Sequence, residues 1–250
     1  MTLHLTLIGI GTGHPEHLTL QAIRVINKQD LILIPLKGEG KADLASLRRT
    51  ICNEVLTNAE TQIAGFDLPV RNEATADYHK RVDDWHDAIA AAWQDVMTQH
   101  PNAKKVALLV WGDPSLYDSA LRIAARLDPA PLLEVIPGIT SVHALTAAHA
   151  IPLNEIGAPF VVTTGRRMRD EGWPPGVDTA VVMLDAGAAF MALDSTGIEI
   201  WWGAYVGMPE QIIKAGKLAD IGAEIVAMRA EARARHGWIM DIYILRRTVP

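Results

Sequence analysis

Residues 7–22 read LIGIGTGHPEHLTLQA, with three glycines among the five positions 9–13. The apolar run at the start predicts a buried strand. The glycines predict a tight turn directly after it, because a residue without a side chain accepts backbone conformations that others avoid. Open α/β sheets bind ligands at turns of this kind, at the carboxyl ends of their strands. The stretch therefore predicts an α/β fold with a ligand loop after its first strand.

The glycine pattern differs from the dinucleotide fingerprint GxGxxG. The third glycine would fall at position 14, where the sequence has His14 followed by Pro15. Proline removes a backbone donor, so a helix cannot simply begin inside the turn. The acidic residue expected about 20 positions later, at a strand end, is also missing, because Asp30 precedes its strand. A nicotinamide oxidoreductase is therefore the weaker alternative.

Size and composition are those of a globular protein of one or two domains: 250 residues, 49% hydrophobic and 21% charged. No apolar run approaches the ~18–20 residues that cross a bilayer, and no basic segment precedes the first apolar run, as a secretory signal would require. The lone Cys52 cannot form an internal disulfide and is expected to be a buried, inert thiol. We therefore expect a cytoplasmic protein without a membrane partner. The net charge of −6 argues against a nucleic-acid partner.

The two halves of the chain predict different sheets. In the first half, apolar runs alternate with helical spacing, which predicts a mainly parallel sheet covered by helices. Its predicted strands are 5–11, 31–35, 106–112 and 132–138, with helices around 44–55, 78–93 and 116–127. The second half has strands at 160–165, 179–184, 199–207 and 238–247, with fewer and shorter helices, and predicts a mixed sheet. Two prolines in residues 128–133 indicate a linker, so we expect an N-terminal domain over 1–128 and a C-terminal domain over 129–250.

Two more glycine loops follow predicted strands. Gly112 and Asp113 come directly after one strand, and Gly138 with Thr140 and Ser141 comes after the next. Taken alone, each loop is explained by the ordinary residue preferences of turns and helix N-caps, without a binding site. Three such loops at the ends of parallel strands predict one shared crevice.

These loops carry a resemblance to a known family. The chain resembles the tetrapyrrole methylases, S-adenosylmethionine-dependent methyltransferases that are not Rossmann-like. The resemblance rests on five ordered blocks: GIGTGHPEHLTLQA (9–22), WGDPSLYDS (111–119), PGITSVHALTAAHAIPL (137–153), TAVVMLDAG (179–187) and VGMPEQIIKAGKLADI (206–221). Within the family it is most similar to members that methylate precorrin-5 at C-1 and release acetate, through LIPLKGEGKADLASLRR (33–49), VVTTGRR (161–167) and ARARHGWIMDIYILRR (232–247).

The resemblance implies two α/β domains, with the methyl donor S-adenosylmethionine held by loop backbone in a cleft between them and S-adenosylhomocysteine as product. Matched motif by motif, the implied donor-binding residues are Gly11, Thr12, Trp111, Gly112, Asp113, Leu116, Thr140, Ser141, Leu184, Tyr205 and Val206. The chain departs from the family at Thr12, where relatives usually have proline, and at Leu184, where methionine is common.

The implied substrate is a tetrapyrrole with several acetate and propionate side chains. Carboxylates need cationic partners, and arginine suits them through paired hydrogen bonds. Basic residues that follow predicted strands are the candidates: Lys37, Lys41, Arg166 and Arg167. Arg48 and Arg49 are interpreted as possible helix surface.

Methyl transfer from a sulfonium is a displacement that requires alignment more than covalent help. We therefore expect no metal and no covalent nucleophile. Loss of acetate requires water or a base at an acetyl carbonyl, and the candidates are Asp113, Tyr117 and Asp185. The sequence is equally consistent with Asp113 as a turn residue and with Asp185 as a cap of the helix after its strand.

The family commonly forms homodimers, and Trp201 and Trp202 in the second half are expected to serve core and dimer packing. Two alternatives stay open. One is another activity of the same family, such as a different precorrin methyltransferase or a diphthamide or rRNA methylase. The other is a tetrapyrrole-binding protein without catalysis.

Overall fold

The computed structural model describes residues 2–36 and 42–248 and divides the chain into two compact units, Met1–Thr140 and Ser141–Pro250. The division lies later than the boundary expected at residue 128. The reason is that strand β5 (Leu132–Ile136) pairs in parallel with β1 (His4–Gly9), so the proline-containing segment leads into the first sheet. Within the described ranges, no helix is long and apolar enough to cross a bilayer.

The first unit is a five-stranded sheet in which every pairing is parallel, as predicted. The strand order is β3-β2-β4-β1-β5. The remaining elements are β2 (Leu31–Leu36), β3 (Gln62–Asp67), β4 (Lys105–Val110), α1 (Leu20–Ile26), α2 (Ala42–Val55), α3 (Tyr78–Gln99) and α4 (Ala120–Ala124).

Helices cover both faces of this sheet. On β2, Leu31 and Leu33 belong to a cluster with Trp93 of α3, whereas Ile32 belongs to a second cluster with Cys52 of α2. Full burial of each such side chain contributes roughly 1.5–3 kcal/mol. Burial also raises the pKa of the Cys52 thiol to about 11, against a smaller opposing effect of Arg49, so the thiol stays protonated, in line with the expected inert cysteine.

The strand order explains why the loops meet. Strands β4, β1 and β5 are neighbours in the sheet, and parallel strands end at the same edge. The connection from β1 to β2 and the connection from β4 to β5 run in opposite directions across the sheet. A crevice for ligands opens where the direction reverses, and the glycine-rich loops leave from these strands.

The second unit contains a mixed sheet of order β6-β7-β10-β8-β9, as predicted. Only β6 and β7 are parallel; the other pairings are antiparallel. Its elements are α5 (Ser141–His149), β6 (Phe160–Thr164), α6 (Gly165–Glu171), β7 (Thr179–Met183), β8 (Ile198–Ala204), β9 (Ile212–Lys217), α7 (Leu218–His236) and β10 (Asp241–Arg247). The expectation of short helices was wrong for α7, which has 19 residues.

The two tryptophans of β8 differ in burial. Trp202 is fully buried, and its Nε1 donates to Oδ2 of Asp241 at 2.8 Å. Trp201 is half-buried, with the Arg246 guanidinium 5.1 Å from its ring centre. Trp202 therefore serves core packing and offers no surface to a second copy of the chain.

Candidate functional site

Backbone hydrogen bonds join the first two glycine loops. Gly11, with φ +71°, forms an antiparallel bridge to Gly112, with φ +64°. The Gly112 amide donates to the Gly11 carbonyl at 2.7 Å, and the Gly11 amide donates to the Gly112 carbonyl at 3.3 Å. These two backbone hydrogen bonds fix the loops after β1 and β4 to each other.

The third loop packs against both of them. Oδ2 of Asp113 accepts from the Gly138 amide at 2.9 Å. A Cβ on Gly138 would lie 2.1 Å from the Gly112 carbonyl oxygen, and a Cβ on Gly9 would lie 2.6 Å from the Gly138 nitrogen. Only glycine fits at either position, and the predicted convergence of the three loops is confirmed.

Asp113 holds this arrangement through both carboxylate oxygens. Besides the Gly138 bond, Oδ1 accepts from the Ser115 amide at 2.8 Å and from the Ser115 hydroxyl at 2.5 Å. Burial pulls the pKa of Asp113 upward, but the hydrogen bonds from Ser115 and Gly138 outweigh it and leave the pKa below its usual value. The group is a carboxylate at neutral pH with its oxygens engaged by the loops.

Gly112 presents an open side. The nearest heavy atom to a Cβ built there is the Thr140 Cα, at 3.9 Å. A ligand can therefore reach the backbone at this point without meeting a side chain of the residue itself. Thr140 stands at the edge of that space and Ser141 begins α5.

A hydroxyl–imidazole pair occupies the first loop. Thr12 is buried, and its Oγ1 lies 2.9 Å from Nδ1 of His17. Burial, followed by the charge of His14, lowers the pKa of His17 against the opposing effect of Glu16, so the ring is neutral at pH 7. The role of His17 is not apparent in the sequence, because its partner is set by the turn and not by spacing.

Arg48 is not helix surface, contrary to expectation. Its Nε donates to the Leu109 carbonyl at the end of β4 at 3.0 Å, and its guanidinium lies 5.3 Å from the Trp111 ring centre. Burial lowers the pKa of Arg48 to about 10 while Asp118 opposes the shift, so the side chain stays charged at neutral pH. Arg49 is exposed, as expected. Helical spacing could not show which of the two arginines faces the sheet.

The described residues include five non-glycine residues with positive φ. Three of the five are predicted site residues, namely Tyr117 (+50°), Leu184 (+53°) and Tyr205 (+50°). Such backbone is costly and clusters at functional sites. Tyr117 and Leu184 are exposed. Tyr205 is 1% exposed, and its hydroxyl donates to the Trp238 carbonyl at 2.5 Å. Its backbone is engaged as well, because its amide donates to the Met240 carbonyl and its carbonyl accepts from the Met208 amide, each at 2.9 Å. Val206 is buried.

Asp185 is a buried carboxylate that holds the turn before a short helix. Its Oδ1 accepts from the Gly187 amide at 2.9 Å, and its Oδ2 accepts from the Ala189 amide and the Tyr243 hydroxyl, each at 2.7 Å. The Ala189 amide begins the short 3₁₀ helix Ala189–Ala192, whose N-cap residue is Ala188. A carboxylate with three internal donors has little capacity to act as a base on a bound substrate.

The predicted basic residues fall into two groups. Lys37 and Lys41 lie outside the described residues. Arg166 and Arg167 are exposed at the start of α6, and Arg167 pairs with Glu171 at 2.7 Å. Among the described residues, no group of three or more His, Cys, Asp or Glu side chains could hold a metal ion.

Comparison with known proteins gives a consistent result. The family model for tetrapyrrole (corrin/porphyrin) methylases matches residues 4–222. The precorrin-6A synthase [deacetylating] of Sinorhizobium sp is 45% identical over 246 residues, which cover 96% of this chain and 94% of that protein. The precorrin-2 C(20)-methyltransferase of the same source is 30% identical over 59% of each chain.

Solved structures agree in fold. A putative cobalamin synthesis related protein (CobF) from Corynebacterium diphtheriae superposes with a TM-score of 0.83 and 36% identity, covering 98% of this chain and 99% of that one. A uroporphyrin-III C-methyl transferase from Thermus thermophilus, complexed with S-adenyl homocysteine, gives a TM-score of 0.56 at 18% identity over 97% of each chain. The family match spans both units and includes the three converging loops, and the chain belongs to the tetrapyrrole (corrin/porphyrin) methylases.

Proposed function

We propose that this chain is an S-adenosylmethionine-dependent C-methyltransferase that methylates precorrin-5 at C-1 and releases acetate to give precorrin-6A. The observation that carries the proposal is the 45% identity, over nearly the whole of both chains, to a precorrin-6A synthase [deacetylating]. The relatives named for other precorrin positions match little more than half of the chain.

The donor is proposed to bind at the converging loops of the first unit. The open side of Gly112 supports this placement, because it admits a ligand to loop backbone beside Thr140. The exposed apolar Leu184 suits the face of an adenine ring. Thr12, Trp111 and Leu116 are proposed to flank the ligand. Tyr205 and Val206, which are both buried, are proposed to support the residues that contact it.

S-adenosylmethionine supplies an electrophilic methyl group on a sulfonium. The chain's own contribution is to align that methyl with the ring carbon and to exclude competing water. Such alignment can supply several kcal/mol of the barrier reduction. The rigid cross-linking of the loops through Gly11, Gly112 and Gly138 suits this role, because misplacement by a fraction of an ångström lowers the rate.

Acetate release requires water to add to the acetyl carbonyl and the carbon–carbon bond to break, with the electron pair left on the macrocycle. Of the three candidates, Asp113 and Asp185 have their oxygens occupied by internal donors. Tyr117, exposed on left-handed backbone, is the candidate that we retain for orienting this water.

The substrate carboxylates are proposed to meet Arg166, with Lys37 and Lys41 as further candidates. Arg166 is exposed at the start of α6. Arg167 is a weaker candidate, because Glu171 already neutralises it.

We further propose a cytoplasmic homodimer that does not bind nucleic acid. The edge strand β5 has exposed apolar side chains, namely Leu132, Leu133 and Val135, and these support a contact between copies better than the buried Trp202 does. Light scattering at micromolar concentration tests the dimer, and a monomer would refute it.

Mass spectrometry of the product formed from precorrin-5 and methyl-labelled donor tests the activity. We expect one labelled methyl gained and one acetyl unit lost. Methyl gain without acetyl loss would indicate a different methyltransferase of the family. Binding of tetrapyrrole without release of S-adenosylhomocysteine would favour a non-catalytic binding protein.

A further inference from the structure

The turn after β7 has strained backbone that local sequence does not explain. Leu184 has φ +53° and Ala188 has φ +57°, in the left-handed region that costs a non-glycine residue about 1–2 kcal/mol. The Leu184 side chain is also 66% exposed, so its own burial does not offset the strain. Conformations of this kind persist where surrounding contacts impose them, and they concentrate at ligand sites.

A buried ion pair lies behind this turn. Nε of Arg229 in α7 lies 2.7 Å from Oδ2 of Asp241 in β10, and the two side chains are only 8% and 5% exposed. Nη2 of the same arginine donates to the backbone carbonyl of Asp185. Trp202 holds the aspartate with a further hydrogen bond of 2.8 Å. The guanidinium therefore links helix, sheet and turn.

Asp185 is also fixed from its other side. The Tyr243 hydroxyl donates to its Oδ2 at 2.7 Å, and burial, followed by the charge of Asp185, raises the pKa of Tyr243 far above its usual range, so this donor keeps its proton. A Cβ on Gly165 would lie 2.3 Å from the Asp185 Cγ, so the Asp185 side chain packs directly against the backbone of this glycine. With its carbonyl and its carboxylate both held, Asp185 fixes the direction of the chain at Leu184.

A buried ion pair is weak evidence for a contribution to stability, because apolar side chains of similar volume often stabilise a fold as well or better. The Arg229–Asp241 pair differs from a purely structural pair in its third contact, which reaches a strained turn. We propose that Arg229 and Asp241 are positioning residues that act through Asp185 to hold Leu184 where its side chain contacts the adenine of S-adenosylmethionine. This inference rests on the proposed function, which supplies the ligand.

The first test is Arg229→Lys, which keeps the charge but loses the fork that reaches Asp241 and the Asp185 carbonyl together. We expect the Kd for S-adenosylhomocysteine, measured by calorimetry, to rise about tenfold. The KM for precorrin-5 should stay within about twofold. Arg235→Lys is the matched control, because Arg235 lies on the exposed side of the same helix and pairs with Glu231 at 2.7 Å; its Kd should not change.

A double-mutant cycle separates positioning from a general loss of structure. Leu184→Ala alone should raise the Kd for S-adenosylhomocysteine about fivefold. In the Leu184→Ala background, adding Arg229→Lys should raise this Kd by less than about a further twofold. Full additivity, or an unchanged Kd in folded Arg229→Lys, would overturn the inference. If Arg229→Lys does not fold, Tyr243→Phe decides: we expect a rise of about threefold that disappears in the Leu184→Ala background. Failure of the unaltered protein to bind S-adenosylhomocysteine would instead overturn the proposed function, and the inference with it.

Discussion

Asp113→Asn is the substitution that most directly perturbs the junction of the loops. The carboxylate accepts from the Gly138 amide through one oxygen and from Ser115 through the other. An asparagine has one acceptor oxygen, so its NH₂ group would face an N–H donor on one side or the other. Loss of a hydrogen bond to a charged group costs about 1.5–3 kcal/mol. We expect the free energy of unfolding to fall by about 2 kcal/mol.

The same change should weaken donor binding, because the Gly138 bond joins the two loops on which the donor is proposed to rest. A tenfold increase in the Kd for S-adenosylhomocysteine, equivalent to about 1.4 kcal/mol, is the expected result by calorimetry. Ser115→Ala is the matched control, since the Ser115 hydroxyl bonds Asp113 within its own loop; we expect its Kd to stay within about twofold. An unchanged Kd in Asp113→Asn would refute the reasoning.

Three further predictions concern packing, substrate and pH. Gly138→Ala should destabilise the protein by about 3 kcal/mol or more in urea unfolding, because its Cβ would lie 2.1 Å from the Gly112 carbonyl oxygen. Gly157→Ala is the control, since φ is +71° there but the space is open, and it should cost only about 1–2 kcal/mol. Equal costs would contradict the close contact between Gly138 and Gly112. Arg166→Ala should raise the KM for precorrin-5 about tenfold with the donor Kd unchanged, whereas Arg169→Ala, whose side chain pairs with Asp170, should leave it unaltered; a normal KM in Arg166→Ala would move the carboxylate site elsewhere. The pKa of folded Asp113 lies below its usual 3.8, so its contribution to stability is present above that value and is lost as the pH falls through the folded pKa. The difference in unfolding free energy between the unaltered protein and Asp113→Asn should therefore be constant above about pH 5 and shrink below pH 4. A difference that grows on acidification would mean that the pKa of folded Asp113 is raised instead.

Several elements were predictable because their burial is simple. Strands β1, β2 and β4 are continuous apolar runs covered on both faces, and α3 shows its apolar face at helical spacing. Strand β3, with the sequence QIAGFD, was missed because its polar ends and Gly65 give no such run. Strand β9 went unrecognised as well: its isoleucines and lysines only partly follow the alternation of half-buried and exposed positions seen in the structure. Helix α7 was not predicted, because its sequence carries charged residues on its buried side too, such as Arg229.

The loops of the site were predictable as positions but not as geometry. Glycine at 9, 11, 112 and 138 indicated turns, yet the contact of Gly138 with the Gly112 carbonyl depends on β1 lying between β4 and β5, which no local pattern reveals. The same holds for Arg48, whose direction depends on how α2 packs, and for Leu184, whose positive φ precedes a residue that Arg229 contacts from far along the chain. Sequence spacing indicates which residues share an element, and tertiary contacts decide what each side chain meets.

The crystal structure of the protein with S-adenosylhomocysteine tests the central claim most directly. We predict that the ligand lies against the backbone of Gly112 and beside Thr140, with the Asp113–Gly138 hydrogen bond intact. A ligand bound with no contact to either residue would contradict the assignment of these strand-end loops as the methyl-donor site.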